Sequence, residues 1–141
     1  MVKLFACGVN EYRNAPTLDF CVNYSKVFCD TFQQNIVINK EDITIVTDDG
    51  IIDNTEYCKK LKEFCDHSEE EDILVVFHSG HGGVDENNDS FLLMTNSLNE
   101  YTYVYTDQII NFLNYSKAKS KVVILDCCHS AVYFVERWHV K

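Results

Sequence analysis

Residues 73–77 read Ile-Leu-Val-Val-Phe and residues 121–125 read Lys-Val-Val-Ile-Leu, and these two runs decide the fold. Strands that are apolar on both faces are typical of a parallel sheet covered by helices. Residues 3–9 and 43–47 have the same character, and residues 91–94 predict a further short strand. The chain therefore supplies four or five strands for one sheet.

Segments between these strands carry apolar residues at helical spacing. Thr17 is the predicted N-cap of the first helix, Asn54 or Thr55 that of the second, and residues 106–113 form a third. Alternating strands and helices predict an α/β, three-layer sandwich with a mostly parallel sheet flanked by helices, as a single domain over 1–141. The predicted buried stripes are Leu18, Cys21, Val22, Phe28, Cys29 and Phe32 in the first helix, and Tyr57, Leu61, Phe64 and Cys65 in the second.

The composition excludes several classes of function. With 22 acidic and 12 basic residues the net charge is -10, which disfavours nucleic acids and anionic membrane surfaces and favours basic peptide segments as partners. The start of the chain lacks the long apolar run of a signal peptide, and no stretch is long enough to span a bilayer. Seven cysteines, an odd number, fit a reducing compartment, so we expect a cytoplasmic protein.

Two clusters of chemically active residues follow the two strongest strands. Residues 78–83 read His-Ser-Gly-His-Gly-Gly, and residues 126–130 read Asp-Cys-Cys-His-Ser. Parallel strands end at one edge of their sheet, where ligands of such folds bind. We therefore expect His81 and Cys128 to converge, in the arrangement of a thiol nucleophile and its general base.

These motifs resemble those of the caspase-like cysteine peptidases, metacaspases in particular. Ser-Gly-His-Gly at 79–82 and Asp-Cys-Cys-His-Ser at 126–130 match in order and in their position after strands. Gly8-Val9-Asn10 and Tyr12 are similar to that family's opening strand and loop. The resemblance extends over nearly the whole chain.

The resemblance implies a role for each motif residue. His81 would be the base of a Cys-His dyad and Cys128 the nucleophile that forms an acyl-enzyme. The backbone amides of Gly82 and Cys128 would form the oxyanion hole. Asp126, with Ser79, would line the pocket for an Arg or Lys before the scissile bond. An Asp at the end of a buried strand is also expected to be partly buried and to require a cation.

The sequence departs from the family pattern at three points. Tyr24 stands where metacaspases usually place a second acidic residue after an asparagine, and Ala131 replaces a glycine. The chain also resembles only the large-subunit part of such a domain, with the small-subunit segment absent. The alternative function is therefore a catalytically incomplete caspase-like module, which acts by association with a small subunit or a homologous peptidase.

Other readings of the same residues remain open. His78 is expected to be a hydrogen-bonded core histidine, and a redox pair of Cys127 with Cys128 is disfavoured because vicinal disulfides are strained. No cysteine or histidine spacing predicts a metal site, and no cofactor is predicted. The resemblance leaves Ca²⁺ open as an activator, but the acidic loop of Asp85, Glu86 and Asp89 is most simply solvated. The predicted core thiols are Cys7, Cys21, Cys29, Cys58, Cys65 and Cys127.

Overall fold

The computed structural model describes residues 1–48 and 52–127 and, as backbone, residues 132–135. The α-helices are α1 (Cys21–Asn35), α2 (Asn54–Asp66) and α3 (Thr106–Tyr115), and short 3-10 helices cover Lys40–Asp42 and Glu100–Thr102. The strands are β1 (Val2–Gly8), β2 (Ile43–Thr47), β3 (Ile73–Ser79), β4 (Gly82–Val84), β5 (Ser90–Leu92), β6 (Val104–Tyr105), β7 (Ser120–Asp126) and β8 (Val132–Val135).

The main sheet has the strand order β2-β1-β3-β7-β8. Strands β2, β1, β3 and β7 run parallel to one another, and β8 pairs antiparallel with β7. The strongest apolar runs, β3 and β7, lie next to each other at the centre. This architecture confirms the predicted α/β fold with a mostly parallel sheet.

Helices cover both faces of the sheet. Alternate residues of one strand face opposite ways, so Phe5 belongs to the core beneath α2 and α3 whereas Leu4 belongs to the core beneath α1. The predicted stripe of α2 is buried throughout. Among the described residues no helix is long and apolar enough to cross a membrane.

The N-caps of α1 and α2 both differ from the predictions. The first helix begins at Cys21 rather than after Thr17, and its N-cap residue makes no side-chain bond of its own. Instead the Asn10 side chain accepts from the amides of Cys21 and Val22 at 2.9 and 3.3 Å. The second helix is capped by Asp53, one residue before Asn54 and two before Thr55, the two predicted caps. A cap supplied from a distant loop leaves no local signal in the sequence.

The strand predicted at 91–94 lies outside the main sheet. It forms β5, Ser90–Leu92, the middle strand of a separate antiparallel sheet with β4 and β6. The Phe91 ring stacks on Tyr103 at 4.0 Å between ring centroids. Apolar character alone does not tell which sheet a short strand joins.

His78 lies wholly inside the core, as predicted, but it is not hydrogen-bonded as expected. Its side chain is 0% exposed, and neither ring nitrogen has a hydrogen-bond partner among the described residues. Burial lowers the pKa of His78 to about 4, because the charged imidazolium would lose its hydration. The ring is therefore neutral at physiological pH.

This burial predicts a pH-dependent stability. The unfolded chain takes up a proton near pH 6.5 and the folded chain only near pH 4. The free energy of unfolding should therefore fall as the pH drops from about 6.5 to 4, by roughly 3 kcal/mol at most. His78→Leu should remove that part of the pH dependence in denaturant titrations. His67→Gln, at an exposed histidine, is the control; an unchanged pH profile in His78→Leu would contradict the prediction.

Candidate active site

The parallel pairing of β3 with β7 places the first residues of the two motifs side by side. Ser79 is the register partner of Asp126, so each motif begins at the same level of the sheet edge. The Ser79 hydroxyl donates to the Asp126 carboxylate at 3.1 Å, and the Gly80 amide donates to the Asp126 carbonyl at 3.2 Å. In the sequence, His81 lies two residues after Ser79, and Cys128 lies two residues after Asp126.

The expected partial burial of Asp126 is wrong. Ser79 is 1% exposed, whereas Asp126 belongs to the exposed residues of β7. The strand ends at Asp126, and its carboxylate projects beyond the packed part of the sheet. Within the described residues, its carboxylate accepts a hydrogen bond from the Ser79 hydroxyl and makes no salt bridge. Burial therefore does not oblige this carboxylate to bind a cation.

Cys21 joins Ser79 and Asp126 at the same edge of the sheet. Its thiol, at the first position of α1, lies close enough to Ser79 and to the Asp126 carboxylate to interact with both. Burial raises the pKa of Cys21; Ser79 lowers it, and the charge of Asp126 raises it further. The thiol is thus neutral and adds no charge. From the sequence, Cys21 is predicted only to be a core thiol, since no spacing links it to the motifs.

His81 is held by the loop that follows β1. Its Nε2 atom lies 2.8 Å from the Pro16 carbonyl oxygen, and its backbone amide donates to the Tyr12 hydroxyl at 2.8 Å. The Tyr12 ring meets the imidazole edge-on, with 4.6 Å between ring centroids. Because a carbonyl only accepts, Nε2 must carry the proton, which leaves Nδ1 as the basic nitrogen. Neither Tyr12 nor Pro16 was assigned a role from the sequence.

The same loop is fixed at several further points. The Asp48 carboxylate accepts from the amides of Asn10 and Glu11 at 2.8 and 2.6 Å. The Arg13 amide donates to the Thr95 carbonyl at 2.9 Å. Together with the Asn10 cap of α1, these bonds tie the loop to the sheet edge, to a helix and to a neighbouring loop. The position of the Pro16 carbonyl is therefore determined by tertiary contacts.

Gly82 begins β4 in a space that admits no side chain. A Cβ atom there would lie 2.9 Å from the Cys127 sulfur and 2.9 Å from the Phe91 carbonyl oxygen. Cys127, predicted to be a core thiol, is half-buried against this glycine. Cys128, the predicted nucleophile, lies outside the described residues, as does Ala131.

In the acidic loop of Asp85, Glu86 and Asp89, the first carboxylate stabilises the loop itself. Asp85 accepts from the amides of Asn87 and Asp89 and from the Tyr105 hydroxyl, at 2.9, 3.0 and 3.0 Å. The hydrogen bond from Asp89 is the main reason that the pKa of Asp85 is lowered. Across residues 1–48 and 52–127, no group of three or more His, Cys, Asp or Glu side chains could hold a metal ion.

The chain is similar in sequence to a known protein family and in fold to a solved structure. The family model described as metacaspase, peptidase C14 domain, matches residues 3–135. A solved structure from Geobacter sulfurreducens is 14% identical with a TM-score of 0.66; the match covers 88% of this chain and 48% of that one. The chain thus spans about half the length of that protein. No curated protein matches the sequence.

The distant cap predicts a measurable contribution of Asn10 to stability. Asn10→Ala leaves the first amides of α1 without their acceptor, so the free energy of unfolding should fall by about 1–2 kcal/mol. Denaturant titration measures this change. Asn14→Ala, at an exposed position of the same loop, is the matched control. Equal stability of the two variants would show that the cap contributes nothing.

Proposed function

Because the matching family model spans residues 3–135, the chain belongs to the metacaspase peptidase C14 family, and we propose that it is a cysteine endopeptidase that cleaves after Arg or Lys. The observation that carries the proposal is the register of Ser79 opposite Asp126. It brings the strand that leads to His81 against the strand that leads to Cys128. A base and a thiol at the ends of adjacent strands can form the dyad that such chemistry needs.

The hydrogen bonds of His81 support its role as the base. The Pro16 carbonyl accepts a hydrogen bond from the Nε2–H group, so the Nδ1 lone pair can take the proton of the Cys128 thiol. The thiolate then attacks the carbon of the scissile carbonyl group. This forms a tetrahedral intermediate in which the carbonyl oxygen has become an oxyanion. The amides of Gly82 and Cys128 would donate to that oxyanion.

Collapse of the intermediate completes the first half of the reaction. The carbon–nitrogen bond breaks, and His81 returns its proton to the leaving amine. The acyl group stays on Cys128 as a thioester. A water molecule, deprotonated by His81, then attacks the thioester, and the Cys128 thiol and a carboxylate product are released.

Preference for a basic residue is supported by charge rather than by burial. Asp126 presents an exposed carboxylate at the sheet edge, oriented by the Ser79 hydroxyl. Burial raises the pKa of the nearby Cys21 thiol, which therefore stays neutral and leaves Asp126 as the charged group beside Ser79. A net charge of -10 would also attract basic segments of a protein substrate.

Covalent labelling tests the nucleophile. We expect an arginine-terminated peptidyl halomethyl ketone to form one adduct, mapped by mass spectrometry to Cys128 and absent from His81→Ala. Cys127→Ser, next to the nucleophile, is the matched control and should still be labelled. If the arginine probe gives no selective adduct while a small alkylating reagent still modifies the thiols, the peptidase proposal fails. The incomplete module that acts by association with a small subunit or a homologous peptidase would then be favoured.

Substitution of Asp126 tests the specificity separately. Asp126→Asn keeps an acceptor for the Ser79 hydroxyl but removes the charge, so kcat/KM for an arginine substrate should fall about tenfold to a hundredfold. Asp89→Asn, an exposed acidic residue of the loop after β4, should leave it unchanged. Equal rates for Asp126→Asn and the unaltered chain, or preferential labelling by an aspartate-terminated probe, would refute the assignment of Asp126.

A further inference from the structure

We propose that Tyr12 is a positioning residue for His81, because its hydroxyl group replaces a direct backbone bond between β1 and β3 at the level of the candidate base. The inference rests on the proposed peptidase function, in which the placement of His81 relative to Cys128 sets the rate. Tyr12 itself is not expected to touch the substrate.

The β1–β3 ladder changes just beyond the last paired residues. Gly8 pairs with Ser79, and the Val9 amide donates to the Ser79 carbonyl at 3.1 Å. In a continuing parallel ladder, the Val9 carbonyl would accept directly from the His81 amide. Instead the Tyr12 hydroxyl donates to the Val9 carbonyl at 2.8 Å and accepts from the His81 amide at 2.8 Å. One hydroxyl group is therefore inserted into the ladder.

This insertion accounts for the glycine before His81. A Cβ atom on Gly80 would overlap the Tyr12 hydroxyl oxygen. Gly80 has no positive φ to explain it, since no described glycine has one. The absence of a side chain at position 80 instead gives the hydroxyl its space between the strands.

Tyr12 also limits the movement of the imidazole itself. Its ring lies edge-on to that of His81. On the same loop, the Pro16 carbonyl accepts a hydrogen bond from Nε2 of His81. The backbone and the ring of His81 are thus both fixed by residues 12–16. A base whose position is fixed in this way loses little entropy when it reaches the reacting thiol.

The hydroxyl can make both bonds at every pH at which such an enzyme would work. Burial raises the pKa of Tyr12 well above its ordinary value, although the hydrogen bond from His81 lowers it in part. The group therefore stays protonated, and it donates one bond while it accepts the other.

The first test is the kinetics of Tyr12→Phe, which keeps the ring and removes only the hydroxyl. We expect kcat on an arginine peptide substrate to fall about tenfold to a hundredfold, with KM within about twofold. Tyr115→Phe removes a hydroxyl from a residue that is 90% exposed, and should change neither constant. A purely structural role would lower thermal stability but leave kcat of the folded fraction intact, which would overturn the proposal.

The second test does not depend on activity. In Tyr12→Phe, the ¹⁵N-resolved signals of the His81 amide and ring should shift, and exchange of that amide with solvent should accelerate about tenfold or more. Gly80→Ala should displace the hydroxyl and reproduce these changes with Tyr12 intact. Unchanged His81 signals in both variants would overturn the proposal. If the unaltered chain shows no peptidase activity or labelling, the proposed function fails, and these signals alone decide whether Tyr12 positions His81.

Discussion

The pairing of β3 with β7 is the constraint on which the rest of the structure depends. Both strands are largely apolar, so they are stable only in the interior of a sheet with helices on each face. Their parallel register sets Ser79 beside Asp126, so that the two sequence motifs begin at one edge of the sheet. A slip by one residue would turn every side chain of β7 to the opposite face and separate Ser79 from Asp126. The same packing that stabilises the fold therefore fixes the geometry of the candidate site.

The loop after β1 provides the second level of organisation. It lacks regular structure, yet Asp48 binds its first amides, Asn10 caps α1, and Tyr12 bridges β1 to His81. Each of these bonds joins residues far apart in sequence and satisfies a polar backbone group that packing removes from water. Through this loop, the Pro16 carbonyl reaches the His81 ring. A segment without regular structure is thus held in place by hydrogen bonds to other parts of the fold.

Charge and burial are distributed differently from what the sequence patterns suggest. His78, a polar residue, is enclosed by the core and is kept neutral by burial. Asp126 is the last residue of a largely apolar strand and is exposed. Cys21 remains a neutral thiol beside Ser79. Hydrophobic patterning reports the average environment of a strand, but the environment of its last residue depends on what surrounds the sheet edge.

The sequence by itself determined the parallel sheet, the presence and order of the three helices and the identity of the two motifs, because periodicity and motif spacing are local properties of the chain. It also placed His81 and Asp126 at strand ends. Only the tertiary structure decided the distant cap by Asn10, the separate sheet that contains β5, and the contacts of Tyr12 with His81. The physical reason is that these features arise from hydrogen bonds and packing between segments remote in sequence. Their geometry exists only once the strands have paired.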